Sequence, residues 1–332
     1  MLKRWFTFAA GVTLLLASPG FAADSSIFAS KTITYIVATT PGGGYDTYGR
    51  LIARYLQKHL AGSRILVKNV PGAGNIIGAN EIYASRPDGL TMGMFNTGLI
   101  YDQLIHRDGV KFDLAKFSWI GKAASEGRGL LISKNSAVKS FDDILKSKTP
   151  VKFAASGIGA ASYNDTRILA DALHLNIQIV NGFTGNEAEM SMLRGEVVAQ
   201  VGTVDSLDSF AKNGHAFWGL SLSGGAGELK GVPRALDYVK DERGKRMLAL
   251  LQALSEMGRL TAGPPGIPAD VLAAEREAMT ATMKDPAFLS DAKKLNLPID
   301  YLPGDVVATR INAALVQPPD TIATLKRAAG GG

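Results

Sequence analysis

The groups best placed to do chemistry in this chain are backbone amides. Pro41-Gly42-Gly43-Gly44-Tyr45-Asp46 separates the apolar, β-branched run 33–38 from a helix-period pattern that begins at Asp46. That order predicts a strand, a tight glycine loop and a helix. Three glycines remove the Cβ atoms that keep a ligand off the backbone, and they permit positive φ. The first N–H groups of a helix have no intrahelical partner, so the loop delivers free donors to a place suited to an anion. Asp46 reads as the helix N-cap. A plain strand-to-helix turn has the same local sequence, so the loop alone leaves both readings open.

Further loops of this kind raise the ligand reading. Pro71-Gly72-Ala73-Gly74-Asn75 follows a strand at 65–70, and Asn96-Thr97-Gly98 follows one at 90–95. Between them the apolar residues Tyr48, Leu51, Ile52, Tyr55, Leu56 and Leu60 draw one stripe along a helix. Strands and helices alternating with short joins predict a parallel sheet covered on both faces. Ligands of such sheets lie beyond the carboxyl ends of the strands, where these loops fall.

The stretch 112–129 is less regular and reads as a passage into a second lobe. The rhythm then resumes with strands at 151–155, 177–180, 197–201 and 217–222 and helices at 163–173 and 187–194. Their joins are Ser156-Gly157-Ile158-Gly159-Ala160-Ala161-Ser162, Asn181-Gly182-Phe183-Thr184-Gly185-Asn186 and Gly202-Thr203-Val204-Asp205-Ser206. Ser140-Phe141-Asp142-Asp143 has the form of a capping box. Residues 248–254 are expected to return the chain to the first lobe. Helices over 269–284, from Asp285-Pro286 and from Pro303-Gly304-Asp305, are expected to pack there.

Composition narrows the class. With 46% hydrophobic and 20% charged residues among 332, the chain is globular. Lys3-Arg4, an apolar stretch over 6–17 and Ser18-Pro19-Gly20-Phe21-Ala22-Ala23 form a secretory signal at 1–23, with cleavage expected after Ala22 or Ala23. The absence of cysteine rules out disulfides and disfavours a lipid-anchored amino terminus, and it leaves stability to a sizeable core. The formal charge of +6 becomes +4 without Lys3 and Arg4, a mild excess that favours small anions. No dense basic run interleaved with aromatics points to nucleic acid.

Enzyme signatures are missing. His59, His106, His174 and His215 are far apart, with no H-E-x-x-H pair. Neither a G-x-S-x-G elbow nor a Walker loop occurs. Gly72-Ala73-Gly74-Asn75-Ile76-Ile77-Gly78 carries its third glycine one position late for a dinucleotide fingerprint. No catalytic residue, metal or cofactor is expected, although a secreted hydrolase with an unrecognised serine or carboxylate pair stays open as an alternative.

Pro41-Gly42-Gly43-Gly44-Tyr45-Asp46 with Arg50, then Asn69-Val70-Pro71-Gly72-Ala73-Gly74, then Arg86-Pro87-Asp88-Gly89-Leu90-Thr91, resemble successive blocks of the tripartite tricarboxylate transporter solute-binding family, the Bug or TctC type. Ala154-Ala155-Ser156-Gly157-Ile158-Gly159 and Leu193-Arg194-Gly195-Glu196-Val197 resemble later blocks. The resemblance implies an α/β periplasmic binding protein of two lobes, type II-like, with a ligand cleft between them and two crossover segments. One lobe takes 24–125 with 250–332, the other 126–249. It implies capture of a di- or tricarboxylate or an aromatic acid, and delivery to a membrane permease of one large and one small subunit. A monomer is expected. A sensory partner that presents its ligand to a receptor is the other reading open within this fold.

The ligand residues it implies are Gly43, Gly44, Tyr45 and Asp46 in the first loop and Ser156, Gly159, Ala160 and Ser162 in the second. Asn96 and Thr97 match a further cleft-facing strand end. Asp46 is assigned to capping ahead of direct contact, because a carboxylate repels a bound carboxylate. Phe183 and Thr184 stand where the family has a tyrosine-containing segment, and Gly202-Thr203 replaces an aspartate-asparagine pair. Ala160-Ala161-Ser162-Tyr163 replaces a serine-rich loop that ends in histidine. The far half of the pocket is thus unlike the family's.

Overall fold

Along the first strand the side chains part as a doubly buried strand requires: Ile33, Tyr35 and Val37 enter one core cluster, Ile36 and Ala38 another. The computed structural model describes residues 25–158, 160–183, 186–223 and 229–328, so the expected signal segment 1–23, Gly159 and Thr184 lie outside the described residues. In chain order come β1 (Thr32–Val37), α1 (Gly44–His59), β2 (Arg64–Asn69), α2 (Ile76–Tyr83), β3 (Thr91–Phe95), α3 (Gly98–Leu104) and β4 (Ser118–Lys122). Then follow β5 (Arg128–Ser133), α4 (Phe141–Leu145), β6 (Val151–Ala154), α5 (Ala161–Leu173), β7 (Ile177–Val180), α6 (Glu187–Arg194), β8 (Ala199–Thr203), α7 (Val204–Lys212) and β9 (Ala216–Ser221). The chain closes with α8 (Glu242–Ser255), β10 (Leu260–Gly263), α9 (Ala269–Lys284), α10 (Pro286–Lys294), β11 (Leu302–Pro303), α11 (Gly304–Leu315) and α12 (Pro319–Ala328).

These strands form two sheets, ordered β11-β4-β10-β3-β1-β2 and β7-β6-β8-β5-β9. Both follow one plan. Three parallel strands (β2-β1-β3, β7-β6-β8) are followed by one antiparallel strand, β10 or β5. Each antiparallel strand comes directly after a crossing between sheets: β5 follows β4 of the first, and β10 follows α8, which packs on α5 of the second. Residues 123–127 and 256–259 are therefore the two crossings of an α/β architecture built on two sheets. The largest core cluster joins Ile36, Phe95 and Trp119 of one sheet to Leu130, Phe153 and Leu220 of the other.

Some expectations need correction. β4 lies inside the stretch read as irregular; all five of its residues are buried, so it carries no alternation. Residues 204–206 are not a strand end but the first turn of α7. Helix α8 spans residues 249 and 250. Met247, Leu248, Leu251 and Leu254 hold it in the core, and the change of sheet falls after Ser255. Of the C-terminal helices, α9 and α11 pack on β4, whereas α12 packs on α5, α8 and α3. The capping box at Ser140 and Asp143 is present, and Asp285 caps α10 ahead of Pro286.

One buried acid lies far from the loops. Glu275 of α9 is fully buried, and neither carboxylate oxygen has a hydrogen bond. The Asp88-Gly89 turn covers it, with Gly89 at φ +74° and its absent Cβ 3.3 Å from Glu275 Oε1. Burial pushes this carboxyl well above its usual range; Arg276 opposes that and Asp88 adds to it. A carboxyl raised in the folded state loses stability as pH climbs from its unfolded value through its folded one. Glu275→Gln is expected to stabilise the protein by about 1–3 kcal/mol at pH 8 and far less at pH 4. Urea denaturation at the two pH values checks this; an equal effect at both would refute it.

Candidate functional site

Helix α1 begins at Gly44, and its N-cap is Gly43, with no side chain capping it. Asp46 is thus not the N-cap expected but the third helical residue, reaching back into the loop. Its Oδ2 accepts from the Gly42 N–H (2.9 Å) and from Arg50 Nε (3.0 Å), and its Oδ1 from Asn69 Nδ2 (2.9 Å). Burial opposes ionisation, but these bonds outweigh it and hold the carboxyl below its usual range. Asp46 therefore ties the loop to Arg50 and Asn69.

On the second sheet, α5 begins at Ala161 with Ala160 as N-cap, again without a side-chain cap. Ser162 Oγ accepts from the Ser156 N–H (3.1 Å) and donates to Ser156 Oγ (3.2 Å), closing the loop on itself. Phe183 is half-buried, packed against the cluster of Leu131, Ala154 and Met192. Thr203 precedes α7 and donates its hydroxyl to Ser206 Oγ (2.7 Å). Asn96 Oδ1 accepts from the Gly98 N–H (2.8 Å), and Thr97 is buried at the start of α3.

The loops of the two sheets meet at two places. A Cβ on Gly44 would lie 3.2 Å from Arg259 Nη2 and 4.0 Å from Ser206 Oγ, at the start of α7. A Cβ on Gly98 would lie 3.9 Å from the Ala161 nitrogen, at the start of α5. Gly44 thus lies beside Arg259 and the start of α7, and Gly98 beside the start of α5, whereas a Cβ on Gly43 would meet nothing within 4 Å. Ser156 joins the group only through its own loop.

The most heavily engaged side chain here went unnoticed in the sequence. Arg259, on the second crossing, is buried at φ +53°, a left-handed conformation that costs a non-glycine residue strain. Its Nη1 donates to Glu126 Oε1 (2.8 Å) and its Nη2 to Asp205 Oδ2 (2.7 Å). Its guanidinium lies 4.0 Å from the ring centre of Tyr45 and 4.8 Å from that of Tyr48. The Tyr45 hydroxyl donates to Glu126. Glu126 also receives Arg128 Nη2 (2.6 Å), whose Nε lies 3.3 Å from Asp165. One side chain therefore ties together the first glycine loop, both crossings and α7. Burial raises the Asp205 carboxyl, but Arg259 and nearby hydrogen bonds more than offset this and keep it below the usual range. The signal was available: Glu126-Gly127-Arg128 sets opposite charges directly before an apolar strand, where each needs a partner.

A cavity of about 800 Å³ opens beside Asp205, with Ser125, Gly127 and Ser209 on one wall and Asn296, Pro298 and Ile299 on the other. Val204 and Asp205 of the join 202–206 line it, but none of the ligand residues implied by the resemblance does. Among the described residues no cluster of acidic and histidine side chains could hold a metal, and no helix is long and apolar enough to cross a membrane.

The family model for the "Tripartite tricarboxylate transporter family receptor" matches residues 49–299. The chain belongs to that family. The family is one of receptors, not enzymes, and the resemblance read from the glycine blocks holds. A UPF0065 protein of Agrobacterium vitis, from the TAR-I ttuE-ttuC' intergenic region, is 30% identical over 166 residues, 49% of this chain and 48% of that one. This receptor is also 25% identical over 304 residues to a UPF0065 protein of Pseudomonas sp. (strain P51), covering 81% of this chain and 90% of the relative. The fold is that of MatC from Rhodopseudomonas palustris, solved with bound malate, at a TM-score of 0.68 and 19% identity, over 88% of this chain and 98% of that one. It is the two-lobed α/β fold of TctC-type periplasmic solute-binding proteins.

Proposed function

We propose that this receptor is exported to the periplasm, with its signal segment removed after Ala22 or Ala23, and there captures a small organic carboxylate as a monomer. It hands the ligand to a tripartite permease of one large and one small membrane subunit. The lobes are the units built on the two sheets, and the ligand sits between them. The observation that carries this reading is the meeting of helix starts from the two sheets, α1 with α7 and α3 with α5, of which α1, α5 and α7 have no side-chain cap.

A carboxylate is costly to desolvate unless its oxygens are hydrogen-bonded. Backbone N–H groups from both sheets converge on one point only when the cleft is closed, so ligand contacts made in that state alone drive closure. MatC, of like fold, carries malate. A thermal-shift screen followed by calorimetry against mono-, di- and tricarboxylates is expected to find a ligand of micromolar or tighter affinity. Failure with every aliphatic and aromatic acid in the screen would sink the proposal.

A further inference from the structure

One side chain holds the first glycine loop at both ends. Asn69, the last residue of β2, donates from Nδ2 to the Thr39 carbonyl (3.1 Å), before the loop, and to Asp46 Oδ1 (2.9 Å), after it. Its Oδ1 accepts from Arg50 Nη2 (2.8 Å). These partners fix which way the amide points. Turned over, it would set its oxygen against two acceptors and its NH2 against a guanidinium.

Asp46 carries the hold into the loop. While Oδ1 takes the Asn69 amide, Oδ2 takes the Gly42 N–H (2.9 Å) and Arg50 Nε (3.0 Å). Gly42 stands at φ +88° and Gly43 at φ −86°. Glycine favours neither conformation strongly, so the path of the loop depends on the bonds around it. The Thr47 N–H reaches the Gly43 carbonyl (3.0 Å), and the amides of Gly44, Tyr45 and Asp46 before it are the donors that a helix start leaves over. Where those amides point is set by the path between Thr39 and Asp46.

Charge works against this arrangement. Asp46 is buried at the third position of the helix whose first amides would take a ligand carboxylate, and Arg50, its counter-ion, is half exposed. Any help that Asp46 gives to binding an anion must therefore come through shape. A loop already held in its binding form loses less freedom when the ligand arrives.

Resting on the carboxylate-binding reading above, we infer that Asn69 and Asp46 are positioning residues for capture: they clasp the ends of the glycine loop and aim its free amides, without touching the ligand. Asp46→Asn separates shape from charge, because the two predict opposite signs. An amide at position 46 has one oxygen, so its NH2 must face either the Asn69 amide or the donors of Gly42 and Arg50, and one side of the clasp opens. By charge alone, removing an acid beside a bound anion and freeing Arg50 would tighten binding.

Isothermal titration of the intact protein with benzoate, succinate and citrate tests this. Each acid that the parent binds is expected to bind Asp46→Asn and Asn69→Ala at least about tenfold more weakly, in the same order of preference. Hydrogen exchange without added acid gives a second readout. The Gly42 amide, which Asn69 does not touch, is expected to exchange about tenfold faster in Asn69→Ala, whereas the amides of residues 51–56 within α1 keep the parent rate. Unchanged or tighter binding in Asp46→Asn overturns the inference and leaves carboxylate binding standing. So does an unchanged Gly42 exchange rate, and so does a reordering of the three acids in Asn69→Ala, which would mean direct contact. A parent that binds neither these nor any acid of the wider screen overturns both readings.

Discussion

Arg259→Met is expected to cost the fold about 3–5 kcal/mol, because it leaves Glu126 buried with one cation fewer and Asp205 with none. The loss has a charge component and a packing component. The guanidinium is clamped between two carboxylates and lies against Tyr45 and Tyr48, and methionine replaces only the apolar stem. Adding Asp205→Asn to Arg259→Met should recover part of the loss, since the carboxylate stranded by the first change is then neutral. Arg259→Lys should fall between, because one ammonium cannot bridge two carboxylates as a planar fork does. Urea denaturation of the four proteins measures this. A cost below about 1 kcal/mol for Arg259→Met would place the ion pairs in solvent-screened surroundings and contradict their burial.

The elements that local sterics dictate were legible in the sequence. Glycine loops at strand ends, the apolar stripe of α1, and the caps at Ser140 and Asp285 all depend on neighbours a few residues away. What escaped depends on distant partners. Arg259 meets Glu126 133 residues away and Asp205 54 residues away. No spacing rule links such positions, and each charge alone reads as surface. Strand β4 escaped for another reason: burial on both faces removes the alternation that marks a strand. Asp46 shows the limit of cap reasoning. An acid in the first helical turn suits either the N-cap or the third position, and only the loop it binds back to separates the two. Phe183 could be placed on a strand-end loop but not on a face of it, since its burial depends on Leu131, Ala154 and Met192 of other segments.

Gly43→Val is expected to weaken ligand binding at least about a hundredfold, the loss of one or two charge-assisted hydrogen bonds, while changing stability by about 1 kcal/mol or less. Both halves follow from one position. Gly43 is exposed, its backbone is extended at φ −86° and ψ 175°, and a Cβ there would meet nothing within 4 Å. Valine adopts that backbone readily, so the fold has little to lose. The added isopropyl group, however, stands over the first N–H groups of α1, where a carboxylate must approach. Gly44→Val makes the contrast: its Cβ falls 3.2 Å from Arg259 Nη2, so it disturbs the ion pairs of Arg259 with Glu126 and Asp205 and lowers stability as well as affinity. Calorimetry and thermal denaturation of both variants separate the two effects. If Gly43→Val binds as the parent does, the loop holds no ligand, and the cavity beside Asp205 becomes the place to look.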